Sequence, residues 1–160
     1  MTDPWEAKLE RCYATVLRGL IAASGSRELA EDALQDALVA ALKHRRSGRI
    51  ERVDAWLYVV GLRALRKGQW RRRFERSLRQ MRGSTPAPDV ERLAAIEMLG
   101  RLGHRQREMV VARYWLGMSF REVAEHFGVT VGTATSTVTR ALNQLRRDIG
   151  EEKAGAWTTR

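Results

Sequence analysis

Residues 119–147 read SFREVAEHFGVTVGTATSTVTRALNQLRR, and this stretch restricts the fold more than any other. Ser119 followed by Glu122 is a capping box, S-x-x-E, which satisfies the free amides at a helix start. Phe120, Val123, Ala124 and Phe127 recur at i, i+3, i+4 and i+7, the period of one helix face. Gly128 can take positive φ and stop that helix. Thr130 is a fresh N-cap. From it a second helix carries Val131, Ala134, Val138, Ala141 or Leu142, Leu145 and Ile149 on one side. Two helices joined by a glycine-containing turn form a helix-turn-helix, whose second helix enters the major groove of DNA. On pattern alone, a plain αα-hairpin in a helical domain fits as well.

The rest of the chain is also helical in period. Asp3 or Pro4 opens a helix whose apolar face is Trp5, Leu9, Cys12, Tyr13, Val16, Leu17 and Leu20. After Ser24-Gly25-Ser26, residues 27–44 form a second helix with Ala30, Ala33, Leu34, Ala37, Leu38, Ala41 and Leu42 expected inward. Its first turns are acidic and its last residues basic, which complements the helix dipole. Asp54 caps a third helix with the dense apolar run AWLYVV. Residues 83–88, GSTPAP, combine turn formers with two prolines and read as a flexible linker. Helices then follow at residues 90–99 and 105–116, with Gly117 ending the latter. Residues 151–160 lack a periodic pattern and read as a frayed tail. No segment reads as strand. The expected fold is all-α: two small helical domains joined by a flexible linker, the C-terminal one containing the helix-turn-helix. The divisions fall at 1–82, 83–89, 90–150 and a tail at 151–160.

Charge separates the two halves. The 160 residues carry a formal net charge of +10, which points to a polyanionic partner. Residues 1–82 hold 18 Lys/Arg against 10 Asp/Glu, and residues 83–160 hold 11 against 9. The half with the helix-turn-helix is therefore not the half with the positive field, so the N-terminal half is expected on nucleic acid too. Its basic run is Arg63, Arg66, Lys67, Arg71, Arg72, Arg73, Arg76, Arg79 and Arg82 against the single acid Glu75. Such a face can lie along phosphates. Trp70 and Phe74 within it can stack on unpaired bases, or can be buried with Leu78. Arg45, Arg46, Arg49 and Arg52 surround Gly48 in a loop that can touch DNA or face water. On the second helix, Glu31, Asp32, Gln35 and Asp36 complement the dipole or dock a basic partner. The reading helix presents Thr133, Thr135, Ser136, Thr137, Thr139 and Arg140. Hydroxyls discriminate bases poorly, so Arg140 is the one strong guanine reader in the first turns.

Other classes are excluded by what is missing. His44, His104 and His126 have no metal-ligand spacing and no cysteine pair beside them. There is no glycine-rich phosphate loop and no nucleophile elbow. No metal, no cofactor, no small-molecule substrate and no catalysis are expected. A recombinase or nuclease would need a nucleophile or a carboxylate cluster that the sequence does not offer. The single Cys12 lies in an apolar stripe and reads as a buried structural thiol. MTDPWEAKLE has acids early and no apolar core, and the longest apolar run, residues 37–42, is too short to span a bilayer. A soluble cytoplasmic protein without membrane contact is expected.

Two blocks of sequence resemble a known family. Residues 105–146, RQREMVVARYWLGMSFREVAEHFGVTVGTATSTVTRALNQLR, are similar to region four of the extracytoplasmic-function sigma factors of bacterial RNA polymerase. AEDALQDALVAAL (30–42) and DAWLYVVGLRALRK (54–67), followed by the arginine cluster, are similar to region two. The resemblance implies a promoter-recognition subunit that binds core RNA polymerase and promoter DNA, with an anti-sigma factor as a further partner the family admits. It implies that Glu31, Asp32, Leu34, Gln35, Asp36 and Leu38 dock on the polymerase. It implies that Arg45, Arg46, Arg49, Arg63, Arg66, Lys67, Trp70, Arg71, Arg72 and Arg73 face the minus-10 element. Ser119, Arg121, Thr130, Thr133, Thr135, Ser136, Thr139 and Arg140 would face the minus-35 element. The competing reading is a stand-alone helix-turn-helix regulator that binds duplex DNA as a dimer. The charges on residues 30–42 speak against a dimer interface there.

Overall fold

The computed structural model describes residues 4–44, 50–79 and 90–158. The described residues fold into helices, with no strand among them. Helices α1 (Pro4–Ser24), α2 (Arg27–His44) and α3 (Val53–Arg79) pack into a three-helix bundle. Gly25 ends α1 at φ 71°, and the Ser26 hydroxyl accepts the Leu29 amide at 3.3 Å, capping α2 as its sequence suggests. The bundle closes tightly because α2 buries alanines (Ala30, Ala33, Ala37 and Ala41) against α1 and α3. Leu20 and Tyr58 are fully buried at its centre. Burying a side chain of Leu20's size contributes about 1.5–3 kcal/mol. Gly61 lets Leu20 pack close, since a Cβ there would lie 2.8 Å from Leu20 Cδ1 and push that side chain aside.

Helices α5 (His104–Val110), α6 (Phe120–Phe127) and α7 (Val131–Thr158) pack into the second group, and α4 (Val90–Gly100), which precedes them in the chain, lies against α1. Met109, Ala112, Met118, Val123, Ala134, Val138 and Ala141 are among its buried residues. Where the sequence suggests one helix over 105–116, α5 gives way to a π-helical turn, Val111–Trp115, closed by the Leu116 amide on the Val111 carbonyl. Such single π-turns inside helices are frequent at functional sites. Here Ala112 stays buried while Tyr114 and Trp115 turn outward.

The two groups share one continuous apolar core, with α1 packed on the π-helical turn, α4 and α5. The Trp115 indole N–H donates to the Thr15 carbonyl at 2.9 Å. Gly19 lets the ring come close, because a Cβ there would sit 3.2 Å from Trp115 Cδ1.

Several expectations need correction. Leu42, placed inward by periodicity, is half exposed, as is Val39, because α2 faces the bundle through its alanines. Leu34 is fully buried in the bundle rather than lying on the docking surface. Val131 and Ile149, also placed on the packed side by periodicity, are exposed. Helix α7 also continues to Thr158, past the tail expected from residue 151. Glu151, Glu152, Lys153, Ala154 and Ala156 are good helix formers, and they outweigh Gly155. Cys12 is half-buried, and burial, followed by Asp54, pushes its thiol pKa up; it is no activated nucleophile. No described helix is long and apolar enough to cross a membrane, and no described His, Cys, Asp and Glu cluster could hold a metal ion.

Candidate nucleic-acid interface

The helix-turn-helix forms as its local chemistry dictates. The Ser119 hydroxyl accepts the Glu122 amide at 3.2 Å, and the Glu122 carboxylate accepts the Ser119 amide at 2.7 Å. Gly128 sits at φ 64° and the Val129 amide reaches back to the Ala124 carbonyl at 2.9 Å. The Arg105 guanidinium donates to the Phe127 carbonyl at 2.8 Å and holds the end of α6. At its start, Arg113 lies 5.0 Å over the Phe120 ring and donates to the Met118 carbonyl. The Thr130 hydroxyl accepts the Thr133 amide at 3.1 Å and starts α7.

The outer face of α7 is open. Thr130, Thr133, Thr139 and Arg140 are exposed, with Thr135 and Ser136 partly so. Ser119 and Arg121 are exposed at the start of α6. The hydroxyls are largely occupied by their own helix. Thr135 donates to the Val131 carbonyl at 2.8 Å, Ser136 to the Thr133 carbonyl at 3.1 Å, and Thr130 shares a hydrogen bond with Thr133. Held so, they present mainly lone pairs, which select bases weakly. Arg140 retains its full donor fork and lines a shallow basic hollow with Gln106, Asn143, Gln144, Arg146 and Arg147.

On α3, Arg63, Arg66 and Lys67 are exposed. Trp70, Arg71, Arg72 and Arg73 follow on the same helix, but their side chains, like Arg45, Arg46 and Arg49, lie outside the described residues. On α2, Asp32, Gln35 and Asp36 are exposed and Glu31 and Leu38 partly so. Val39 and Leu42 extend this surface with exposed apolar area, at i+4 and i+7 from Gln35.

Residues 92–145 match the family described as Sigma-70, region 4. The RNA polymerase sigma-E factor of Streptomyces coelicolor is 33% identical over 132 residues, covering 75% of this chain and 71% of that protein. The ECF RNA polymerase sigma factor SigM of Mycobacterium tuberculosis is 33% identical over 140 residues, covering 82% and 70%. The chain belongs to the ECF sigma factor family. The fold agrees. The sigma factor RpoE, solved with the anti-sigma factor NepR from Bartonella quintana, superposes with a TM-score of 0.75 at 23% identity over 91% of this chain and 96% of that one. CnrH, solved with the cytosolic domain of CnrY, gives 0.70 at 22% identity over 92% and 88%.

Sequence reasoning missed the seam between the halves of this ECF sigma factor. Arg52, just before α3, donates to Asp54 Oδ2 and the Leu116 carbonyl, both at 2.7 Å, to the Gly117 carbonyl at 3.3 Å and to Glu122 Oε1 at 3.2 Å. The hydrogen bond to Asp54 leads in raising its pKa further, so it stays a cation throughout. Arg66 pairs with Glu108 in α5. The buried Tyr58 hydroxyl donates to the Glu108 carbonyl at 3.1 Å, and burial holds that phenol well above its usual pKa and keeps it protonated. Apart from Arg52 with Asp54, these partners are 42 to 70 residues apart in sequence, so no local pattern announces them.

Proposed function

We propose that this ECF sigma factor is the promoter-specificity subunit that docks on core RNA polymerase and grips promoter DNA at two elements. Its role is regulatory, and the chemistry of transcription belongs to the polymerase. The acidic and apolar surface of α2 (Asp32, Gln35, Asp36, Val39 and Leu42) would meet the polymerase. The basic side of α3, with Arg63, Arg66 and Lys67 leading into the arginine cluster, would hold the minus-10 element. The α7 face around Arg140 would read the minus-35 element. The observation that carries this reading is the likeness to sigma factors across both halves of the chain, together with an open reading face on α7. The domain division is then a region-two bundle at 1–82 and a region-four domain at 90–150. An anti-sigma factor would find a seat in the apolar cleft between α1 and α4–α5, about 700 Å³, lined by Leu17, Ile21, Leu99, Tyr114 and Trp115. The test is gel filtration of the chain with core polymerase. Co-elution supports the reading, while a free dimer that binds duplex DNA without polymerase replaces it with the stand-alone regulator.

A further inference from the structure

We propose that the first turns of α7 read A·T base pairs through the methyl groups and lone pairs of their threonines, with thymine recognised by its C5-methyl group and guanine accepted only opposite Arg140. The inference rests on the reading of α7 as the helix that enters the minus-35 major groove, and it names the bases this face prefers. Between residues 131 and 139 no side chain is charged and none is an amide. The bidentate partners of guanine (Arg, Lys) and of adenine (Asn, Gln) are therefore missing until Arg140. What faces outward instead is short. Gly132, Thr133 and Thr139 are exposed, with Thr135 and Ser136 partly so. A Cβ on Gly132 would meet no side chain nearer than the Thr130 hydroxyl at 3.9 Å, so the start of the helix is open to close approach. Side chains this short reach only groups that stand out from the base edges, and in the major groove the thymine methyl is such a group.

The hydroxyls are oriented by their own helix. Thr135 donates to the Val131 carbonyl and Ser136 to the Thr133 carbonyl. The Thr130 oxygen accepts the Thr133 amide, and the two hydroxyls share one hydrogen. With its hydrogen held by the backbone, Thr135 offers the groove an acceptor and a methyl group. Guanine presents two acceptors, N7 and O6, so lone pairs would face lone pairs. An A·T pair presents the adenine N6 amino donor and the thymine methyl. The donor meets the oxygen, and methyl meets methyl. Cytosine offers a donor without the methyl, and its guanine partner brings the acceptors back. Thr135 and Thr139 stand at i and i+4, so the two methyl groups lie along one side of the helix. Each contact is weak, and the preference comes from their number.

The test begins with selection from randomised DNA duplexes by the full chain, with core RNA polymerase and, at low salt, without it. The enriched duplexes should carry a run of A·T pairs beside a single guanine. They are then rebuilt with uracil in place of thymine, one position at a time, which keeps the pairing and O4 and removes only the methyl group. Uracil at a contacted position should weaken binding roughly fourfold, the effect of one buried methyl. Thr135→Ser keeps the hydroxyl and removes its methyl. It should bind thymine and uracil duplexes equally at one position, while Arg140→Ala should lose the guanine preference and keep the uracil effect. Equal affinity of the wild-type chain for thymine and uracil duplexes would overturn the proposal, as would enrichment of guanine runs or no enrichment at all. Failure to bind core polymerase would remove the sigma-factor reading and leave the uracil result standing.

Discussion

Arg52, on the bundle side of the seam, lies 3.2 Å from Oε1 of Glu122 in α6, whose Oε2 accepts the Ser119 amide at 2.7 Å. One carboxylate therefore caps a helix of the DNA-reading motif and ties that motif to the bundle. Both side chains are about a third exposed, so solvent screens the pair. A double-mutant cycle with Arg52→Ala and Glu122→Gln, read by urea unfolding, should give a coupling of about 0.5–1 kcal/mol. Arg52→Ala alone should cost more, about 1–3 kcal/mol, because it also leaves the Leu116 and Gly117 carbonyls without their donor.

The same carboxylate sets an acid limb. The Ser119 amide first, then the Ser119 hydroxyl and Arg52, hold the Glu122 pKa below its ordinary 4.5. A pKa depressed in the folded state contributes stability above the unfolded value, and that contribution is lost as pH falls through the folded value. The urea midpoint of the wild-type chain should therefore drop more steeply below about pH 4.5 than that of Glu122→Gln. Parallel curves from pH 7 to pH 3 would show that the carboxylate is not held as described.

Tyr58 tests the buried side of the seam. Tyr58→Phe removes the hydroxyl that donates to the Glu108 carbonyl while filling the same space. The loss should be about 1–2 kcal/mol in unfolding free energy, with no change in secondary structure. Tyr58→Ala opens a cavity at the centre of the bundle and should cost about 3–5 kcal/mol.

On DNA, Arg71→Ala with Arg72→Ala should lower the slope of log affinity against log salt by about 2, since each neutralised phosphate contributes about 0.9. Arg140→Ala should relax base preference in the minus-35 region more than Thr135→Ala, because the Thr135 hydroxyl is already bound to the Val131 carbonyl. Binding to a panel of single-base variants reads both, with about 1–3 kcal/mol of discrimination at the base Arg140 contacts. A larger loss from the threonine change would mean that α7 is rotated in the groove.

What the sequence made legible was local. Ser119 with Glu122, Gly128 and Thr130 act within four residues of where they stand, so their roles in the helix-turn-helix follow from spacing. The alanine stripe of α2 likewise announces the packed side of that helix. The seam was not legible, because Arg66 looks like any other member of a basic row until Glu108 is brought beside it. The π-helical turn also depends on tertiary packing: α1 gives Trp115 a carbonyl at Thr15 and an open place over Gly19. Periodicity put Leu42 inward because it cannot tell a wide apolar stripe from a narrow one that leaves Val39 and Leu42 outside. The linker at 83–89 and the arginines at 45, 46 and 49 fall outside the described residues.

Run-off transcription tests the central claim most directly. The chain is mixed with core RNA polymerase and fragmented genomic DNA, and the transcripts are mapped at their 5′ ends. The account predicts discrete start sites that appear only when the chain is present, with a shared sequence upstream of each at minus-10 and minus-35. Core polymerase that neither binds the chain nor starts at any new site in its presence would contradict it.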